Sequence, residues 1–298
     1  MALSERKKTR IMNKPIRIGG VPEHFNLPIH LGIEDGSFRK RGIELEWRDF
    51  QGGTGAMTQA MREGTCDLCV LLTEGIIADI YKGNPSKIIS VYVKTPLCWG
   101  IHSGAENSLS THKDIYNKQY AISRKGSGSH LMAIIDANSR GLEIQSDQWN
   151  VIGNLDGALA ALSKKEADVF YWEKFTTKPY VDNGQLKRVG EFYSPWPCFV
   201  IAATDEILEE RPEDVIRILR VIHDECDRFM QDSSAIDLVS RRYHQKKEDV
   251  ARWYHSTEWA IHGWISDKMI DGVIYHLQTA DILQGMEPAK DLIWKREE

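Results

Sequence analysis

The sequence predicts an α/β protein with largely parallel sheets, and three observations carry that reading. Short unbroken apolar runs alternate with helical periodicities from Pro15 to about Ser90. The alternation restarts near Tyr120, and after Ala203 the pattern becomes almost entirely helical. Strands covered on both faces read as continuous apolar runs, and strand–helix alternation is the mark of parallel βαβ units.

The elements follow in order. Ile16 to Gly19 reads as a strand and Leu27 to Glu34 as a helix stopped near Gly36. Ile43 to Arg48 is a second strand, and Thr54 to Arg62 a helix with Met57 and Met61 one turn apart. Leu68 to Leu72 and Ile88 to Val91 are continuous apolar runs. In the second round, Tyr120 to Ser123 is a strand, followed by a Gly/Ser turn and a helix from Ser129 to Arg140 that ends at Gly141. Trp149 to Ile152 is the next strand, and Leu155, Leu159 and Leu162 line one face of the next helix. Val169 to Tyr171 completes the unit. Ala60 to Leu72 has a faint echo in Ala161 to Glu173, where Asp67 and Asp168 each precede an apolar strand. Beyond Pro212, itself placed as a first helical residue, Val215, Ile218, Leu219, Ile222, Cys226 and Phe229 form one apolar face. Helical patterns continue over roughly Ile236 to His244, Asp249 to Tyr254 and Asp267 to Leu277. No Gly/Ser linker separates the two rounds, so strands near Thr95 to Ile101 and Trp196 to Ala202 are expected to pass between two lobes. Lobe I would then comprise residues 15–97 and 200–298, and lobe II residues 98–199.

Composition excludes several classes. The chain has 298 residues, 42% hydrophobic and 27% charged, with 23 Gly and 10 Pro, which does not fit a disordered or fibrous chain. A net charge of −5 supplies no global basic field, so nucleic acid is not an expected partner. Five Cys do not suggest a disulfide framework. No stretch has the roughly 18 apolar residues that a membrane span needs, so no membrane insertion is expected. The basic run from Met1 to Arg10 lacks an apolar segment behind it and does not read as a secretory signal. The expected compartment is cytoplasmic, or periplasmic or extracellular if a signal has been removed.

Open parallel sheets bind ligands beyond the carboxyl ends of their strands, so each loop there is a candidate. After the first strand, His24, Phe25 and Asn26 read as pocket lining or as an Asn helix cap with surface neighbours. Phe50-Gln-Gly-Gly-Thr-Gly55 places Gly53 and Thr54 where backbone N–H groups and a helix dipole favour an anion, or where a plain capped turn would sit. It has neither the Lys-Ser/Thr ending of a P-loop nor a dinucleotide spacing. Thr73 and Glu74 end the third strand, with the carboxylate facing a cleft or capping the next helix. The sharpest signal is Ser123-Arg-Lys-Gly-Ser-Gly-Ser-His130, in which Ser127, Gly128, Ser129 and His130 open a helix beside Arg124 and Lys125. Trp172 and Glu173 end a later strand, and Trp196 stands at the return crossing, as clamps on a ligand face or as core packing. Cys66-Asp-Leu-Cys69 has redox or half-zinc spacing but no second pair, so it reads as structural. His223 with Cys226, and His255 with His262, have no further ligands nearby in sequence. Neither a metal, a cofactor nor a catalytic residue is expected, because no local signature pairs a nucleophile with its base.

Gly36-Ser-Phe-Arg-Lys-Arg-Gly-Ile-Glu-Leu-Glu46, Gly52-Gly-Thr-Gly55 and Met61-Arg-Glu-Gly-Thr-Cys-Asp-Leu68 resemble type II periplasmic-binding-protein-like domains. The nearer branch is that of alkanesulfonate-binding and thiamine-pyrimidine-precursor proteins. Ser127 to Ser129 opening a helix and Ala167-Asp-Val169 opening a strand are similar too. The resemblance implies a two-lobe fold with two hinge crossings, closing on a small molecule and handing it to a membrane transporter. No secretion signal or lipid-attachment Cys accompanies it, which points to a non-secreted member whose transporter partner is unknown. The pyrimidine-forming enzymes carry a cysteine-rich iron-linked motif that Cys66-Asp-Leu-Cys69 does not match.

The expected function is therefore non-catalytic binding of a small polar or heteroaromatic metabolite. Thr54 and Ser127 to Ser129 would hold an acceptor-rich group, Glu74 and Glu173 would accept from an amine or ring N–H, and Phe25, Trp172 and Trp196 would cover the apolar face. The alternative is an enzyme on the same fold, a pyrimidine-precursor synthase or menaquinone-pathway dehydratase, with His24, Glu74, His130 or Glu173 as its acid or base. The sensing domain of a transcription regulator fits poorly, because strand one begins by Ile16.

Overall fold

Two five-stranded mixed sheets organise the computed structural model, which describes residues 14–284 and 292–295. The basic run at Met1 to Arg10 lies outside the described residues. The first sheet runs β2 (Leu45–Asp49), β1 (Ile16–Gly20), β3 (Leu68–Leu72), β10 (Phe199–Thr204), β4 (Ser86–Val93). The second runs β7 (Trp149–Val151), β6 (Tyr120–Ile122), β8 (Val169–Glu173), β5 (Cys98–Gly104), β9 (Leu186–Tyr193). In each, a central strand is parallel to two neighbours: β1 to β2 and β3, and β6 to β7 and β8. The antiparallel strand in each sheet is one that has just crossed from the other, β10 in the first and β5 in the second. The crossings are residues 94–97, joining β4 to β5, and residues 194–198, joining β9 to β10.

In the first lobe, α1 (Leu27–Glu34), α2 (Ser37–Lys40), α3 (Gly53–Arg62) and α4 (Thr73–Tyr81) connect the strands. In the second, α5 (Gly128–Ser139), α6 (Leu155–Ser163) and α7 (Lys178–Asp182) do so. The C-terminal helices α8 (Asp205–Glu210), α9 (Pro212–Gln231), α10 (Ala235–Tyr243), α11 (Lys247–Ser256) and α12 (Asp267–Thr279) return to the first sheet. Helix α9 buries Val215, Ile218, Ile222, Cys226 and Phe229 against α1, and α12 packs on α4. Trp259 and Ile293 bridge to Val93 and Ile88, so the outer edge of β4 is covered rather than left open for pairing.

Some elements escaped the sequence pattern. The helix expected from Ile76, α4, starts earlier than the pattern suggests, at Thr73 directly off β3 with no polar turn between. Strand β9 carries Lys187, Arg188 and Glu191, which break the apolar run expected of a strand.

The echo between Asp67 and Asp168 has a physical cause. Asp67 accepts the backbone N–H of Arg17 at 2.7 Å and its Nε at 2.9 Å, fixing the start of β1 beside β3. Asp168 accepts the backbone N–H of Gln119 at 3.1 Å and Asn107 Nδ2 at 3.0 Å, at the start of β6 beside β8. Each carboxylate thus satisfies a backbone donor at the start of a central parallel strand. Asp67→Ala and Asp168→Ala should each lower the free energy of unfolding by about 1–3 kcal/mol, read by urea denaturation. A loss below the error of measurement in both would contradict the assigned role.

Candidate functional site

Between the sheets lies a cleft of about 520 Å³, lined from both sides. That volume falls within the usual range for small-molecule sites. Three helices of eight residues or more begin at its walls. Helix α3 begins at Gly53, α5 at Gly128 and α6 at Leu155, each following the carboxyl end of a strand. Their first N–H groups and dipoles favour negative charge. Gly53 adopts φ +62°, a left-handed conformation that a side chain makes costly, so glycine is required where α3 starts.

The Gly/Ser turn before α5 is internally bonded. Ser127 Oγ accepts the N–H of His130 at 3.4 Å and lies 3.0 Å from Ser129 Oγ, which in turn accepts the N–H of Ser123 at 3.0 Å. The hydroxyls therefore shape the turn, while Arg124 reaches across from it. The Arg124 guanidinium lies so close to Gly55 on α3 that a Cβ there would force it to move. Burial lowers the Arg124 pKa, and among the described residues no ion pair neutralises it. Gly128 is equally confined: a Cβ there would come within 2.6 Å of Trp99 Cη2 and 2.9 Å of Leu72 Cδ1, a contact between lobes. Trp99, 4% exposed, lines the cleft with its indole N–H unpartnered.

Carboxyls also line the cleft: Asp156 stands in the first turn of α6, and Glu23 and Glu173 lie elsewhere in the wall. Glu173 is buried and accepts the N–H of Phe175 at 3.0 Å and of Thr176 at 2.6 Å. Burial nevertheless raises its pKa. Glu23, on the loop after β1, is pushed up to about 8 by burial and then by the Glu173 charge. Among the described residues, the lining contains no His, Cys or Lys.

The structure brings Gly53, Thr54, Ser127, Gly128, Ser129, Trp172 and Glu173 together around the cleft. The other sequence candidates lie elsewhere. His24, Phe25 and Asn26 are buried away from it: His24 packs 4.2 Å from Trp253, Phe25 packs 5.1 Å from Phe199, and Asn26 Nδ2 donates to Val21 O at 2.7 Å. Burial drives His24 down to about 3, so it is a neutral core histidine. Asn26 makes no side-chain cap for α1. His130 turns inward, accepting the Gly126 N–H at 3.1 Å on Nδ1 and packing 4.5 Å from Trp149.

Thr73, Glu74 and Trp196 brace the return crossing. Thr73 donates its hydroxyl to Pro197 O at 2.6 Å and its N–H to Cys198 O at 3.1 Å. The Trp196 indole N–H donates to Glu74 Oε2 at 2.8 Å, and burial pushes Glu74 up to about 7. Cys66 and Cys69 are buried free thiols with Sγ atoms 3.7 Å apart, remote from the cleft lining. Among the described residues, no group of three or more His, Cys, Asp or Glu is placed to hold a metal, and no helix is long and apolar enough to cross a membrane.

Sequence reasoning missed Glu23 and Trp99. Glu23 sits in the very loop that was singled out, one residue before His24. Nothing in the sequence tells which side chains of that loop turn outward. Trp99 begins the second sheet inside a crossing that reads as plain strand.

A structure from Candida albicans, that of the CA3427 gene product, superimposes with a TM-score of 0.86 at 24% identity, covering 93% of each chain. It is described as defining a new family with the generic periplasmic binding protein fold. This chain has the type II periplasmic-binding-protein-like fold. The family model described as Ca3427-like PBP matches residues 99–192, which span most of the second lobe. The alkanesulfonate-binding protein SsuA of Xanthomonas axonopodis pv. citri, bound to MOPS, superimposes with a TM-score of 0.79 at 14% identity, covering 94% of this chain and 98% of that one. PhnD1 of Prochlorococcus marinus, in complex with methylphosphonate, does so with a TM-score of 0.62 at 12% identity, over 91% and 99%. No curated protein matches the chain in sequence.

The buried Glu74 gives a signed prediction. Its folded pKa lies above the unfolded value, so the folded state holds the extra proton and its stabilising effect is lost as pH rises from about 4.5 through about 7. Glu74→Gln keeps an acceptor for Trp196 and removes the titration. The stability of the native protein relative to this variant should fall by on the order of 3 kcal/mol between pH 4.5 and 8, read by urea denaturation. A difference independent of pH would contradict a buried, proton-bearing Glu74.

Proposed function

We propose that this protein binds a small polar metabolite in the cleft without transforming it, and that the lobes close over the ligand. One observation carries the reading: the cleft wall is shared, with Gly53, Thr54 and Glu23 from the first lobe facing Trp99, Arg124, Ser127 and Glu173 from the second. A ligand touching both walls stabilises the closed arrangement in preference to the open one. About 5.5 kcal/mol of such preference carries a two-state equilibrium from 1:99 to 99:1. Ion pairs also join the lobes. They include Lys246 with Asp182 at 2.7 Å and Lys178 with Asp249 at 3.5 Å, which fits a closure that the ligand completes.

Turnover has less support. Of the acid and base candidates His24, Glu74, His130 and Glu173, only Glu173 reaches the cleft. Ser123, Ser127 and Ser129 bond to one another and have no His or Lys beside them in the lining to activate a hydroxyl. The bare Arg124 and the helix starts support an anionic group at one end of the ligand. The sulfonate and phosphonate compounds held by the two bacterial proteins of this fold agree with that chemistry.

A thermal-shift panel of sulfonates, phosphonates, pyrimidines, polyamines and vitamin precursors tests the reading. A ligand at a hundredfold excess over its dissociation constant adds about 2.7 kcal/mol of stability by mass action. Small-angle scattering with that compound should show a smaller radius of gyration. Arg124→Ala should weaken an anionic ligand by about ten- to a hundredfold, as loss of a charge-assisted hydrogen bond implies. Conversion of the compound to product, or an unchanged radius at saturation, would contradict binding with closure.

A further inference from the structure

Two carboxyls, one from each lobe, share a neighbour at the cleft. Thr176 donates its backbone N–H to Glu173 Oε2 at 2.6 Å and its hydroxyl to Glu23 Oε1 at 3.4 Å. A single residue therefore spans from the acid after β1 to the acid at the end of β8. Arg124 rests on Gly55 of α3 and is not among the groups that act on Glu23, which are Glu173, Thr176 and burial itself. Arg188 of β9 is a cation that acts on Glu173, and it already has Lys174 O at 2.8 Å and Glu191 at 3.7 Å as partners. Tyr243 of α10 faces Glu23, and Cys98 and Cys198 of the crossings face Glu173. The negative end of this cleft thus lacks a counter-cation of its own among the described residues.

Two carboxyls tied to one residue, Glu173 buried and Glu23 half-buried, cannot both ionise cheaply, so the pair keeps a proton while no ligand is bound. A ligand that brings its own positive charge can take the place of that proton. Resting on the binding function proposed above, we propose that the ligand is amphoteric: a protonated nitrogen sits between Glu23 and Glu173, and an anionic group reaches Arg124. The exchange balances as a carboxylic acid and an ammonium becoming a carboxylate–ammonium pair, with one proton released to solvent. Because Glu23 belongs to the first lobe and Glu173 to the second, the nitrogen holds the walls together. A simple anion leaves the acid pair as it was.

Calorimetry at pH 7 with 3-aminopropanesulfonate and propanesulfonate tests this, in two buffers of different ionisation enthalpy that contain no sulfonate or primary amine. The amino compound should bind at least tenfold tighter and release up to one proton, and propanesulfonate should release none. Glu23→Gln should abolish both the tenfold gap and the proton release. The proton count on the native protein stands even if the variant folds poorly. Equal affinities, or no proton released by the amino compound, overturn the proposal. A nitrogen-free anion that closes the cleft as tightly as any amine overturns it while leaving the binding function standing. If neither probe nor any compound of the wider panel binds, both fail.

Discussion

The chain passes between its two sheets twice among the described residues, and the two crossings are bonded to each other. Leu97 donates its N–H to Ser194 Oγ at 2.9 Å, Ser194 donates its N–H to Leu97 O at 3.0 Å, and Cys198 donates its N–H to Thr95 O at 3.2 Å. Two short segments joined in this way form one junction between the lobes, the place at which the proposed closure would bend. Thr73 and the Glu74–Trp196 pair fasten the return crossing to the first lobe. Leu97, Trp99 and Phe199 beside the crossings form part of the cleft lining, so bending there changes the distance between its walls directly.

Given that hinge, the electrostatics of the walls decide what can close it. The starts of α3 and α5 and Arg124, which makes no ion pair among the described residues, make one region receptive to negative charge, and the Glu23–Glu173 pair makes another receptive to a proton or a cation. Burial strengthens both, because charges held away from water interact more strongly and cost more when left unpaired. A ligand complementary to both regions meets charged groups that make no ion pair among the described residues.

The architecture was legible because it is written in long-range periodicity. Continuous apolar strands, the restart at Tyr120 and the amphipathic face of α9 each depend on many residues, so one ambiguous position does not spoil the pattern. The Gly/Ser loops before α3 and α5 were legible for a similar reason: strand, glycine turn and helix in that order put backbone N–H groups at a strand's carboxyl end. Side-chain direction was not legible. His24 and Glu23 are adjacent in one loop, yet one is core and the other lines the cleft, a difference set by a single backbone turn near Val21. Glu74 and Trp196 are 122 residues apart, and only the return of the chain through the hinge makes them partners. The start of helix α4 escaped because no turn residues precede it, and strand β9 escaped because charged residues interrupt it.

The central claim is that the two walls move together on a ligand that both recognise. The five native cysteines are all buried, so Gln59→Cys on α3 and Ala160→Cys on α6, both exposed, can carry a spin-label pair across the cleft. The distance distribution between them, measured with and without a bound metabolite, reads closure directly. A single shorter distance on saturation, against a broader or longer one without ligand, is the predicted result. Identical distributions in the two states, with binding shown independently, would contradict the account.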